Sequence, residues 1–445
     1  MVHLDLSLYV HPVYRIHRPE ILEKYSEAME ISVRTEIMNR GTLASFGEEW
    51  FQNALLNLHR NSFHPPLSAF KKQFAGWKGL MVAAGPSLDK SIEKLKSVAD
   101  QSIVVCVGQA FRALVNAGIQ PDFVVAVDSD PRTFEQFRDV PTGDTILVAG
   151  DNVYPPVLEH FGKQVIMFSS TLTEVREWLK DTDLYQVNLA IGGTVSLSAI
   201  DLLVILGCKE IFLVGLDLCF REDGTTHASH TQWTGYRADT RTLVKVPGNY
   251  QETVMTSRQF AIYIHIIEGY LKENERASRC NFHNVNTSGA RIQGTEVIDP
   301  DQLQTFFTGE SPEIGKKKII RRIVQETSPP AADQMIRKID STEREIDAIK
   351  RIAFDSVQKA KALVKAAPNG TNLNKLIKEL DRNDQRMSRY ETGMELLNCA
   401  IRSFCMDVVV REGGELADQV KFYRHLEGGA DWLLGLFAKV KQNLM

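Results

Sequence analysis

The chain has 445 residues, with 52 lysines and arginines against 56 aspartates and glutamates, and 43% of its residues are apolar. At about 100 to 200 residues per domain, this length predicts two to four domains. The net charge of −4 excludes a generally basic nucleic-acid-binding protein, and the charged fraction of 24% excludes wholesale disorder.

Membrane insertion and disulfide bonding are not expected from the sequence. No segment has the roughly 18 consecutive apolar residues that a membrane-spanning helix needs. The N-terminus carries Asp5 and lacks the basic stretch that opens a secretory signal. The six cysteines are scattered without a CxxC pair, which favours small buried thiols in a reducing compartment over disulfides or zinc. We therefore expect a cytoplasmic protein with no membrane span.

Residues 1–76 predict an N-terminal helical lead-in. An amphipathic helix is expected from about Ile21 to Leu58, and the turn His64-Pro65-Pro66 ends this segment.

Residues 77–300 predict an α/β domain, because short apolar runs alternate there with helix-like segments. Strands are expected at Gly79–Ala84, Ile103–Val107, Phe123–Val127, Thr145–Ala149, Val165–Phe168 and Glu210–Val214, and helices near Lys90–Val98, Ala110–Ala117 and Val195–Leu206. Continuous Val- and Ile-rich strands separated by helices are typical of βαβ units. We predict an open, mostly parallel Rossmann-like sheet whose ligands lie beyond the C-terminal ends of its strands.

Residues 301–330 are expected to be a linker, and residues 331–445 a C-terminal helical bundle. Fifteen of the sixteen prolines lie at or before Pro330, and charged residues become more frequent after it. Apolar residues recur at helical spacing from Met335 to Val364, and turns are expected at residues 367–370 and 413–414. A last helix is expected from about Leu416 to Leu444, interrupted at Gly428-Gly429.

Gly85, Pro86, Ser87 and Asp89 form a small-residue turn between the first predicted strand and the following helix. Free N–H groups and the helix dipole converge at such a turn, which can bind an anion such as phosphate. Ser87 is expected to cap the helix while its hydroxyl faces a ligand. A plain capped turn is an equal alternative, and the pattern is not a Walker loop.

Two acids and a glycine pair follow at other strand ends. Asp128 and Asp130 come directly after a predicted strand and could share a divalent cation such as Mg²⁺, or could simply form the turn before Pro131. A second small-residue turn opens the predicted helix at 195 and consists of Gly192, Gly193, Thr194 and Ser196. We call it the residue 192–196 corner; it could bind an anion or only cap the helix.

Asp217 ends the predicted strand Glu210–Val214, and His227 follows on a loop. An acid at a strand end with a histidine on a loop is common where protons are transferred or sugar hydroxyls are bound. A solvated surface histidine is the alternative, and His230 lies three residues further on. Thr287 lies in another small polar turn.

Three ordered runs carry a resemblance to a known family: AAGPSLDKSIEKLK, NAGIQPDFVVAVDSDP and IGGTVSLSAIDLLVILGCKEIFLVGLDLCF. Over about residues 77–295 the chain resembles the motility-associated-factor (Maf, or motility accessory factor) flagellin glycosyltransferases. The same core family includes the 6-hydroxymethylpterin diphosphokinase-like proteins. More distantly, the core is similar to bacterial sialyltransferases that use CMP-activated sugars.

The resemblance implies a site and an activity. It implies that a nucleotide donor is bound by the GPSLD turn and the residue 192–196 corner, with Gln109 and Thr287 as further donor-binding candidates, and that His227 is the catalytic or phosphate-stabilising histidine, with Asp217 as base or orienting acid. The sequence departs from the sialyltransferases, which carry asparagine where this chain has Ala84 and a tyrosine pair in the neighbourhood of Cys219 and Phe220.

Three functions are therefore expected as alternatives. The first is transfer of a nonulosonic acid, pseudaminic or legionaminic in type, from a CMP-activated donor to serine or threonine of flagellin. The second is diphosphoryl transfer from ATP to a pterin alcohol, with Asp128 and Asp130 binding Mg²⁺. The diphosphokinases carry an Asp-Leu-Asp-Gly run at this point and have no helical appendage, which favours the transferase. The third is a non-catalytic flagellar accessory protein.

Overall fold

A computed structural model describes residues 11–169, 172–182, 184–185, 187–221, 223–229, 231, 242–308, 314–365, 373–401 and 416–445. The chain divides into two compact units, Met1–Gly47 and Glu48–Met445. The finer divisions expected from composition stay predictions.

Ten strands are described. In chain order they are β1 (Lys78–Val82), β2 (Ser102–Val107), β3 (Phe123–Ala126), β4 (Ile146–Gly150), β5 (Val165–Phe168), β6 (Glu210–Val214), β7 (Val244–Pro247), β8 (Thr253–Thr256), β9 (Asn281–Val285) and β10 (Glu296–Ile298). Eight of them form one sheet in the order β10-β9-β6-β1-β2-β3-β4-β5, and β7 pairs with β8 in a separate hairpin. Every neighbouring pair in the large sheet is parallel, which confirms the predicted α/β class.

Thirteen α-helices are described. In chain order the described α-helices are α1 (Pro12–His17), α2 (Pro19–Leu56), α3 (Leu88–Val98), α4 (Gly108–Asn116), α5 (Pro155–Phe161), α6 (Thr173–Trp178), α7 (Val195–Leu206), α8 (Arg258–Glu273), α9 (Lys316–Glu326), α10 (Ala332–Lys365), α11 (Leu373–Met387), α12 (Glu391–Ala400) and α13 (Leu416–Leu444). Every residue of β2, β3, β4 and β5 is buried, so the sheet is covered on both faces as parallel sheets require.

The strand order changes direction between β1 and β6. Strands β1 to β5 follow one another across the sheet, and the chain then returns through α7 to place β6 on the other side of β1. Val82 at the end of β1 lies beside Val214 at the end of β6. In open α/β sheets the crevice at such a reversal, outside the C-terminal strand ends, is the usual ligand site.

The C-terminal region is helical, as predicted, and its helices pack on the sheet unit. The indole of Trp178 in α6 stacks on Phe437 with ring centroids 5.6 Å apart, and its N–H donates to the Thr342 hydroxyl at 2.9 Å. The predicted interruption at Gly428-Gly429 is wrong, because α13 continues through both glycines. The turns expected at 367–370 and 413–414 lie outside the described residues.

The segment after β6 holds elements that the sequence did not predict. The β7–β8 hairpin, helix α8 and strands β9 and β10 all lie between residues 242 and 300. Among the described helices, none combines the length and the apolar character that crossing a bilayer requires.

Candidate functional site

The turns after β1 and β6 touch where the strand order reverses. The Gly85 N–H donates to the carbonyl of Gly215 at 2.7 Å, and Ala83 N–H donates to Val214 at 2.8 Å. A Cβ atom on Gly85 would lie 2.5 Å from the Gly215 carbonyl oxygen, and Gly215 itself has φ +70°. Only glycine permits both the close approach and the left-handed conformation. The predicted GPSLD turn and the predicted Asp217 turn therefore form one structure.

Ser87 and Asp217 join the two turns through side chains. Ser87 N–H donates to one carboxylate oxygen of Asp217 at 2.7 Å, and the Ser87 hydroxyl donates to the other. The expected side-chain cap of α3 is not formed, because the Ser87 hydroxyl donates to Asp217 instead. Burial raises the pKa of Asp217, whose side chain is 3% exposed, although the bonds from Ser87 act in the opposite direction.

A third segment is fastened to the same turn. We call Arg221 and residues 223–229 the histidine loop. Ala228 N–H donates to Ala84 at 2.8 Å, and Ser229 N–H donates to a carboxylate oxygen of Asp89 at 2.9 Å. At the other end of the loop, the Arg221 guanidinium donates to the Pro86 carbonyl at 2.7 Å. Asp89, predicted to bind the donor, therefore holds the loop that carries the predicted catalytic histidine.

His227 lies between these two attachments. Its Nδ1 lies 2.7 Å from the Thr226 hydroxyl, and Nε2 forms no hydrogen bond with any residue that the structure describes. The side chain is half-buried, and desolvation lowers its pKa below the ordinary value of 6.5. A neutral imidazole at neutral pH can accept a proton, so the arrangement suits a general base.

Asp128 and Asp130 follow β3 at the same edge but have different surroundings. Asp130 accepts from the Arg132 backbone N–H at 2.8 Å and also binds its guanidinium, which lowers the pKa of Asp130. Asp128 keeps its side chain open to solvent, while the protein around it and the charge of Asp130 raise its pKa. Asp130 thus forms the turn before Pro131, which was the alternative prediction, and Asp128 is exposed. Within the described part of the chain, no three or more His, Cys, Asp or Glu residues cluster where they could hold a metal ion.

The residue 192–196 corner, at the start of α7, packs against α8. Gly193 has φ +72°, and a Cβ atom there would lie 3.2 Å from the Tyr263 ring, while one on Gly192 would lie 2.5 Å from Ile266. Thr194 caps the helix by accepting from Ser196 N–H at 3.4 Å, the predicted alternative role. Burial raises the pKa of Tyr263, and the negative charge of Asp128 raises it further.

The two remaining predicted donor-binding residues, Thr287 and Gln109, each lie just after a strand of the large sheet. The turn after β9, which contains Thr287, packs on the Asp217 turn: Ala290 N–H donates to the Asp217 carbonyl at 2.8 Å. Gln109 lies in the first turn of α4, directly after β2. The structure adds Arg221, Ser229 and Tyr263 to the site. No sequence motif marks these three residues. Only Arg221 could have been suspected, because it lies four positions after Asp217 in the sequence.

Comparisons with known proteins agree with this architecture. Residues 52–223 match the family model described as 6-hydroxymethylpterin diphosphokinase MptE-like. Over 110 residues, 24% of this chain, it is 34% identical to an uncharacterised protein of Treponema pallidum (strain Nichols), and this match spans 49% of that relative. The chain therefore covers about half of the length of this relative.

The fold is similar to the solved structure of a MAf glycosyltransferase from Magnetospirillum magneticum AMB-1. The TM-score is 0.57 at 17% sequence identity, and the match covers 89% of this chain and 60% of the other. The predicted resemblance to a Maf-like chain with a diphosphokinase-like core is confirmed, while the resemblance to sialyltransferases stays a prediction.

Proposed function

We propose that the chain is a glycosyltransferase that moves a nonulosonic acid from a CMP-activated donor to serine or threonine hydroxyls of flagellin in the cytoplasm. The observation that carries the proposal is the attachment of the histidine loop to the Ser87–Asp217 turn at the strand reversal. This attachment holds an open imidazole nitrogen where a bound donor is expected. The fold shared with a MAf glycosyltransferase supports the transferase class.

The chemistry assigned to the residues is displacement at the anomeric carbon. The acceptor hydroxyl gives its proton to Nε2 of His227 as its oxygen bonds to the sugar, and the CMP phosphate leaves. Asp217 is not the base, because both of its oxygens accept hydrogen bonds from Ser87 and its side chain is buried. It acts as the orienting acid by holding the GPSLD turn in place through Ser87.

A second candidate function is diphosphoryl transfer from ATP to a pterin alcohol, which the MptE-like match over residues 52–223 favours. In-line phosphoryl transfer needs cation neutralisation of the phosphates, so Mg²⁺ would be required. Asp128 would be the carboxylate available to that ion, because Asp130 is engaged by Arg132.

The two candidates are separated by thermal-shift measurements with CMP, CDP, UDP and ATP, each with and without Mg²⁺. Stabilisation by CMP without a metal requirement is expected, because mass action raises the melting temperature of a protein that binds ligand only when folded. Stabilisation by ATP only with Mg²⁺ would support the diphosphokinase instead. No shift with any nucleotide would leave the non-catalytic accessory role.

Mass spectrometry of flagellin incubated with the chain and a CMP-activated nonulosonic acid then tests transfer itself. A mass increase of one sugar residue on a flagellin peptide is expected. An unmodified flagellin, with the donor intact, would contradict the proposal.

A further inference from the structure

We infer that Arg221 binds the phosphate group of the donor, an inference that rests on the transferase proposed above. Arg221 stands at the start of the histidine loop, and its side chain is exposed. A tight turn fixes its backbone, because its N–H donates to Thr225 at 3.0 Å and its carbonyl accepts from Gly224 at 2.8 Å. The guanidinium reaches the GPSLD turn, where it donates to Pro86 at 2.7 Å.

Residues 85–88 of the GPSLD turn offer an anion no free backbone N–H group. The Gly85 N–H is bonded to Gly215 at 2.7 Å, the Ser87 N–H to Asp217 at 2.7 Å and the Leu88 N–H to Gly85 at 3.0 Å. Pro86 has no N–H group. The backbone donors of residues 85–88 are therefore already used in the fold. A phosphate at this turn gains from positive charge supplied by another segment.

Arg221 supplies that charge with suitable geometry. A guanidinium has five N–H donors in a planar fork that matches two phosphate oxygens at once. The bond to Pro86 fixes the orientation of the fork, and its other donors make no hydrogen bond to a described residue. His227 lies on the same loop, so the proposed phosphate-binding residue and the proposed base belong to one segment of the chain.

A structural role for Arg221 is the competing explanation, since its charge also acts on the buried carboxylate of Asp217. A counter-ion for Asp217 would affect folding and binding of every ligand alike. A phosphate-binding residue would affect only ligands that carry a phosphate. The affinities for CMP and for cytidine, which differ by that one group, therefore separate the two roles.

The experiment measures both dissociation constants by titration calorimetry for the wild type, Arg221→Gln, Arg221→Lys and Arg279→Gln. Arg279 is an exposed arginine just before β9, at the opposite edge of the sheet, and is paired with Glu275, so it is the matched control. Melting temperatures establish that each variant is folded. If the wild type binds ATP rather than CMP, ATP and adenosine replace the pair.

The expected result is a loss of CMP affinity of about tenfold to a hundredfold in Arg221→Gln, the range for a hydrogen bond to a charged group. Cytidine affinity should not change, Arg221→Lys should be intermediate because it keeps the charge without the fork, and Arg279→Gln should match the wild type. Unchanged CMP affinity in Arg221→Gln, or an equal loss for CMP and cytidine, would overturn the inference while leaving the proposed function intact. A wild type that binds no nucleotide would overturn both.

Discussion

Ser87 donates its backbone N–H and its hydroxyl to the two carboxylate oxygens of Asp217, a residue 130 positions further along the chain. The pair joins the turns after β1 and β6, at the point where the strand order reverses. The pair also positions the candidate site. Helix α3 begins directly after Ser87, and Asp89 in its first turn accepts a hydrogen bond from the histidine loop.

We expect Ser87→Ala to weaken nucleotide binding and to lower the free energy of unfolding by about 1–3 kcal/mol, because it leaves a buried carboxylate oxygen without its partner. Titration calorimetry and urea denaturation measure the two effects. Ser97→Ala is the control, since its hydroxyl donates to Lys94 on the exposed side of α3. Nucleotide affinity equal to that of the wild type would reduce the turn to a structural element.

Gly85→Ala tests the close approach between the two turns. The new Cβ would lie 2.5 Å from the Gly215 carbonyl and 2.9 Å from the Asp217 carboxylate, and backbone on one side cannot yield easily. Overpacking of this kind costs about 1–3 kcal/mol, and binding should weaken with it. Thermal denaturation provides the measurement. In Gly435→Ala, where no atom lies within 4 Å of the new Cβ, we expect unchanged or slightly higher stability.

Six of the eight strands of the large sheet could be predicted from the sequence, and the site only in part. Buried Val- and Ile-rich runs fixed β5 and β6 at the predicted residues, because both faces of a parallel strand are apolar. The hairpin could not be predicted, because apart from Thr256 its residues are exposed or half-buried and make no such run. Ser87 and Asp217 could each be predicted from a strand end, but the contact between them could not, since a contact across 130 positions leaves no local pattern. Asp89 was predicted to bind the donor because its contact with Ser229, 140 positions away, likewise leaves no local pattern.

The pH dependence of transfer should follow His227. Burial lowers its pKa, so the folded chain keeps this imidazole neutral to a pH below the ordinary 6.5. The acid limb of kcat/KM should therefore have its midpoint below pH 6.5. The same shift means that the contribution of His227 to stability is fully present above pH 6.5 and is lost as the pH falls through the lowered pKa.

His227→Ala should abolish transfer with nearly unchanged Tm, because its Nε2 supports no described contact. The exposed His265 on α8 is the matched control, and His265→Ala should keep both the rate and the acid limb. Transfer that survives His227→Ala would show that the base is another group.

At the N-terminal ends of β2 and β3, Lys316 at the start of α9 is buried against Asp122. Its ammonium donates to the carboxylate at 2.8 Å and also to the carbonyls of Ala99 at 2.9 Å and Ser102 at 2.8 Å. Lys316→Met should lower the free energy of unfolding by about 3–5 kcal/mol, because it leaves a buried carboxylate without its counter-ion. Adding Asp122→Asn should restore part of the loss by removing that charge. Urea denaturation of both variants measures this, with the exposed Lys317→Met as control, which should change stability little. A double variant no more stable than Lys316→Met would mean that the carbonyl contacts, rather than the charge pair, hold α9 to the sheet.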